Sequence, residues 1–173
     1  MKVNAEKSKV ARPRDLKFLG FGYYYNSENK KYQVKPHLTS IQKFQRKLRK
    51  LTKRNWSIRL EYRIVKLKQV ILGWVNYFKI ANMKKAMGEI DKKLRSRIRV
   101  IIWKQWKRPR KQIKSLIQLG IPEGEAKGIT YCRKGYRFIG LSKVVQRALS
   151  NKRLKQRGIP SALECYLKVH TVI

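Results

Sequence analysis

This sequence is short of acid. Nine Asp and Glu stand against 45 Lys and Arg in 173 residues, for a formal net charge of +36. Asp15 and Asp91 are the only aspartates, and no two acidic residues adjoin. Phosphoryl transfer between nucleotides by two metal ions needs carboxylates around ions about 3.5–4 Å apart, and this stock excludes a self-contained centre of that kind. Histidine is scarcer still: His37 and His170 stand alone, with no second ligand near either in sequence. Cys132 and Cys165 are too few and too far apart for a disulfide framework or a CxxC zinc pair, which suits a reducing compartment. The longest apolar run, Val70 to Val75, falls far short of the roughly 18–20 residues that span a bilayer. The N-terminus carries no apolar run of the signal-peptide type. A cytoplasmic protein without a membrane partner is expected. GxSxG, GxxxxGK[ST] and HExxH are all missing, so no catalytic residue and no metal ligand can be named.

What is present is a core and a counter-charge problem. Hydrophobic residues make up 42% of the chain, which separates it from a disordered basic tail. At this net charge self-repulsion opposes compactness. Nucleic acid is the polyanion that relieves it best, because each neutralised phosphate releases counterions.

Phe18 to Tyr25 alternates, with Asn26-Ser27-Glu28-Asn29 as turn chemistry and Lys31 to Val34 as a returning strand. A β-hairpin is expected. Gly20 and Gly22 share one face of it, a bare strip that marks either tight packing or the close approach of another backbone. Thr39 or Ser40 caps a helix with Ile41, Phe44, Leu48 and Leu51 on one face. Its other face carries Lys43, Arg46, Lys47, Arg49, Lys50, Lys53 and Arg54. Ser57 caps a second helix with Ile58, Tyr62, Val65, Ile71 or Leu72 and Val75 as its stripe, and Gly73 inside it suggests close helix packing. A third helix, about Ala86 to Lys107, buries Met87, Ile90, Leu94, Ile98, Ile101 and Ile102. Lys92, Lys93, Arg95, Arg97, Arg99, Lys104 and Lys107 are its cations, and Pro109 ends it.

Beyond Pro109 shorter helices are expected. They run over Arg110 to Leu119, from Pro122, behind the caps Ser142 and Ser150, and up to Val169, with Gly135 to Gly140 as an extended link. The fold class is mainly α: a short N-terminal β-hairpin, a basic three-helix bundle over 36–108 and a small helical module over 109–173. Trp56, Trp74, Trp103 and Trp106 lie among lysines and arginines, a composition suited to phosphate contact with base stacking. Trp74 reads as core.

These stretches resemble a known family. "VNAEKSKVARPRDLKFLGFGYY" resembles the last two blocks of the polymerase region of bacterial group II intron reverse transcriptase–maturases, and "LKQVILGWVNYF" resembles their maturase signature. "IWKQWKRPR", "GIPEGEA", "RKGYRFI" and "LECYLKVH" resemble the class C subgroup, which lacks an endonuclease domain. The resemblance implies that 1–35 is a remnant of the polymerase palm, 36–108 the thumb-like maturase domain and 109–173 a nucleic-acid-binding module. It also implies that the catalytic Tyr-x-Asp-Asp block and its Mg²⁺ belong upstream, so no cofactor is expected in this chain.

Lys7, Phe18, Leu19, Gly20 and Phe21 match positions that handle nucleotide and primer in the family. Gly73, Trp74, Tyr77 and Phe78 match the maturase motif, in a mainly structural role. With the basic faces, the expected nucleic-acid-binding set adds Lys43, Arg46, Lys47, Lys50, Arg54, Lys92, Arg95, Arg99, Lys104, Lys107, Arg108 and Arg110. Group II intron RNA is the expected partner. Target DNA, an RNA/DNA primer-template and a separate palm fragment are further candidates. Two other readings stay open: one piece of a split RNA-directed DNA polymerase, and a general basic nucleic-acid-binding protein.

Overall fold

Leu19 and Gly20 break the expected Phe18–Tyr25 strand in two. The computed structural model describes residues 11–170, and Lys7 with the rest of its block lies outside them. After a 3-10 turn at Pro13–Asp15, β1 (Lys17–Phe18) pairs antiparallel with β2 (Phe21–Asn26), with Phe18 opposite Phe21. The link is a two-residue turn with Leu19 at φ 48° and Gly20 at φ 84°. Left-handed backbone at both positions is what matches the twist of a tight hairpin. β2 then pairs with β3 (Lys31–Pro36), from Phe21 opposite Pro36 to Asn26 opposite Lys31. The expected hairpin is thus the β2–β3 part of a three-stranded sheet with β2 in the centre.

A two-stranded ribbon alone is marginal in water, and this small sheet leans on helices. Tyr77 Oη donates to Leu19 O (2.9 Å), Ser40 Oγ to Gly20 O (2.8 Å), and His37 N–H to the same Gly20 O (2.9 Å). Asn82 N–H donates to Val34 O at 2.8 Å. A Cβ on Gly20 would stand 3.0 Å from Ser40 Oγ, and one on Gly22 3.5 Å from His37 Cδ2. The bare glycine strip is therefore covered by the chain's own next helix.

That helix, α1 (Leu38–Leu51), starts one residue after the imidazole of His37, whose Nδ1 accepts from Thr39 N–H at 3.2 Å. The cap is His37, not Thr39 or Ser40. Phe44 and Leu48 are buried, with Ile41 and Leu51 packed beside them. Helix α2 (Leu60–Tyr77) starts three residues past the expected cap, and its stripe is shifted. Leu60, Arg63, Ile64, Leu67, Ile71 and Val75 are buried, while Tyr62, Val65 and Leu72 face solvent. Gly73 is exposed, and a Cβ placed on it would meet nothing within 4 Å, so no close helix contact occurs there. The charge on Arg63 hides the true stripe.

In α3 (Lys84–Gln105) the expected apolar residues are all buried. Lys107 turns the chain at φ 43°, and Pro109 opens α4 (Pro109–Gln118) rather than closing α3. Pro suits a first helical position because its missing N–H would be unpaired anyway. Gly120 (φ 86°) ends α4, with Gly120 N–H on Ile117 O and Ile121 N–H on Leu116 O, the paired bonds of a left-handed C-terminal cap.

Helix α5 (Glu123–Thr130) follows. Gly135 to Gly140 is not extended: Tyr136–Leu141 form α6, packed so tightly on α3 that a Cβ on Gly140 would meet Val100 Cγ2 at 2.6 Å. Ser142 and Ser150 cap α7 (Lys143–Ala148) and α8 (Asn151–Gln156) as expected, and Ser161 caps α9 (Ala162–Val169). The molecule is mainly helical, with one core cluster running from Phe44 to Tyr166. Its later helices are tied to the earlier ones: Tyr166 Oη donates to Ala81 O (3.1 Å), and Asp91 of α3 accepts from Ala162 N–H (2.8 Å) and Leu163 N–H (3.2 Å) at the start of α9.

Candidate nucleic-acid interface

Between α1 and α3 lies a groove of about 1080 Å³. Its floor is hydrocarbon from Leu48, Ile90 and Leu94. Arg46 and Arg49 line the α1 wall, and Lys92, Lys93 and Arg97 the α3 wall. Lys53 and Arg54 come from the α1–α2 connection, and Tyr136 and Arg137 from the start of α6. Eight cations and, among the described residues, no carboxylate line the groove. One of them, Lys92, is partly neutralised by Glu89 at 2.8 Å.

Guanidinium groups bonded within the protein shape this surface. Arg97 Nε donates to Thr52 Oγ1 (2.6 Å) and its Nη2 to Arg49 O (3.2 Å), stitching α3 to α1. Burial lowers the Arg97 pKa from its ordinary value, and neighbouring Arg49 lowers it further. Crowded cations of this kind gain most when an anion arrives.

Arg63 holds the connection that carries Lys53 and Arg54. It donates to the carbonyls of Leu51 (3.0 Å), Lys53 (2.9 Å), Ile58 (3.3 Å) and Trp56, and lies over the Trp56 ring at 4.8 Å. Burial depresses its pKa too, but four carbonyl acceptors suit a permanent cation. Lys104 Nζ donates to Arg54 O at 3.3 Å, and the Arg54 guanidinium rests over the Tyr136 ring at 4.6 Å.

The expected binding residues divide accordingly. Arg46, Arg54 and Lys92 line the groove. Lys43, Lys47 and Lys50 are exposed on α1 outside it, and Lys107, Arg108 and Arg110 are exposed at the α3–α4 corner. Arg99 is a correction: it is 6% exposed and donates to Leu149 O (3.0 Å) and Asn151 Oδ1 (3.0 Å), leaving it no face for a ligand. Arg95 is half-buried, 3.8 Å from Asp91.

Phe18 and Leu19 are exposed on the sheet turn. Phe21 stacks on Tyr77 (5.7 Å) and meets Phe78 (4.8 Å), and Gly20 is covered by Ser40. Trp74 stacks on Phe44 at 4.4 Å and 8°. Trp103 is buried, with Trp106 half-buried against it. Tyr136 and Arg137 fall outside the expected set, because their segment reads as extended. The arginine–aromatic mixture of "RKGYRF" is the signal that could have found them.

A second hollow of about 770 Å³ lies between Leu119–Pro122 and α7–α8. Its arginines are committed elsewhere, Arg147 to Glu125 and Arg153 to Leu119 O (2.7 Å) and Ala148 O (2.8 Å). The α1–α3 groove is therefore the stronger candidate for a polyanion. Among the described residues no His, Cys, Asp and Glu come together to hold a metal ion, and no helix is long and apolar enough to cross a membrane.

No curated protein matches the chain. The family model described as group II intron, maturase-specific domain, matches residues 41–117. That span carries both walls of the groove, and over it, from α1 through nearly all of α4, the chain is similar to the maturase-specific domain of group II introns.

Proposed function

We propose that this chain is a maturase-type RNA-binding protein that grips folded group II intron RNA and favours its splicing without itself making or breaking bonds. One observation carries the reading: the α1 and α3 walls of the cationic groove, which no carboxylate lines among the described residues, fall within the span that matches the maturase-specific domain. Phosphates entering between α1 and α3 would release counterions and relieve the self-repulsion of the free protein. Compact RNA brings strands together, so a scaffold that binds the compact form stabilises it, and the RNA then performs its own chemistry. Discrimination would follow RNA shape and unpaired elements rather than the sequence of a duplex.

The test is competition at physiological salt between a group II intron RNA and an unrelated structured RNA of equal length. Preference for the intron, together with faster splicing when protein is added, supports the reading. Equal binding sinks it and leaves a general basic nucleic-acid-binding protein. A second reading, one piece of a split RNA-directed DNA polymerase, draws on Phe18 and Leu19, which stand 64% and 67% exposed on the sheet turn. Primer extension that arises only on mixing with a separate palm polypeptide would favour it, with a primer-template duplex as the further partner.

A further inference from the structure

We propose that the α1–α3 groove takes a single unpaired ribonucleotide strand, with phosphates between the two walls and one base stacked on Tyr136. The proposal rests on the RNA-binding reading and adds the ligand's form and a residue that selects it.

The groove's construction favours one backbone over two. Cations line both walls above a shared hydrocarbon floor, Arg46 and Arg49 on α1 and Lys93 on α3, so a chain lying between them is neutralised from both sides. From Arg46 to Leu51, the last residue of α1, is five residues, about 7.5 Å along a helix at about 1.5 Å each, and Lys53 and Arg54 continue the wall beyond it. Phosphates repeat about every 3.4 Å along the axis of a duplex strand and lie further apart in an extended one, so the walls serve only a few nucleotides. A channel that tracks one backbone and ends on an aromatic ring is the general arrangement for single strands.

Tyr136 supplies the ring. It lines the groove from the start of α6, is 38% exposed, and carries the Arg54 guanidinium over its face at 4.6 Å. In the free protein that cation occupies a place a base can take. A base that stacks there sends the guanidinium to the adjoining phosphate, exchanging a cation–π contact for a charge-assisted hydrogen bond. Lys104 holds the Arg54 carbonyl, so the side chain can swing while its backbone stays. A duplex keeps its base faces stacked inside and offers Tyr136 nothing.

The experiment uses the full chain with a six-nucleotide RNA carrying 2-aminopurine at successive positions, against a blunt RNA duplex at equal phosphate concentration. The single strand is expected to bind more tightly, with fluorescence quenched at one position. Tyr136→Leu should weaken the single strand about 5- to 100-fold, leave duplex binding and the salt slope unchanged, and abolish the quench. Tyr136→Phe should keep the affinity, the slope and the quench. Duplex binding as tight as the single strand, or no quench at any position in the unmodified protein, overturns the proposal; the second readout needs no variant to fold. If the intron preference persists while either of those results appears, the single-strand inference falls alone. If the preference is lost while the quench remains, the maturase reading falls and this groove stands.

Discussion

Helices α1 and α3 look alike as sequence and behave differently as structure. Each carries an apolar stripe opposite a dense set of cations. On α1, Lys43, Arg46, Lys47 and Lys50 all reach solvent. On α3, Arg95 meets Asp91, Arg97 stitches Thr52 and Arg49, and Arg99 is sealed against Leu149 and Asn151. The difference follows from position. Helix α1 has neighbours on one side, whereas α3 is covered by α6 and α9 as well. A guanidinium that can satisfy several carbonyls survives burial where an ammonium would be costly. Counting basic residues on a helix therefore overstates its free charge, and the arginines of the more enclosed helix are the ones to discount.

Substitutions can break or sharpen this contrast. The largest expected effect is that of Arg99→Ala, which leaves a buried Leu149 carbonyl without its donor and should cost about 3 kcal/mol of stability in urea unfolding. Next, replacing Lys43, Arg46, Lys47 and Lys50 together with Gln should weaken intron RNA binding at least tenfold, about 1.4 kcal/mol or more. The salt slope should fall by roughly 0.7–0.9 for each phosphate the protein no longer neutralises, while the unfolding midpoint holds. A midpoint that drops as far as in Arg99→Ala would erase the distinction between the two helices.

Asp91→Asn should cost about 1–2 kcal/mol by thermal melting, because one amide oxygen cannot replace a carboxylate that serves the first N–H groups of α9. Smallest of all, Lys47→Ala should stay within about 0.5 kcal/mol of the parent protein in stability. A larger loss would mean that α1 also spends its charge on the fold.

Much of this architecture is legible in the sequence. Six apolar residues at helical spacing place α3 correctly, Ser142 and Ser150 announce their helices, and Gly120 marks a stop. The misses share a cause. In "FLGFGYYY" strand alternation hides a turn that only left-handed backbone at Leu19 and Gly20 reveals. On α2, Arg63 occupies a core position that a polarity pattern assigns to solvent, so the pattern draws the stripe through Tyr62 and Val65 instead. The candidate surface is half visible in the same way: the α1 cations can be read, but Tyr136 and Arg137 join the groove only because α6 folds back onto α3. Periodicity reports which side of an element is apolar, and says nothing of which distant element arrives to share its edge.

The Arg63 clamp has a consequence for how this surface can drift over time. All of its hydrogen-bond partners are main-chain oxygens, which every amino acid supplies. Residues 53–55 can thus be rewritten, gaining or shedding charge, while their path through space is kept. Lineages facing different RNAs could retune this rim without first rebuilding what supports it.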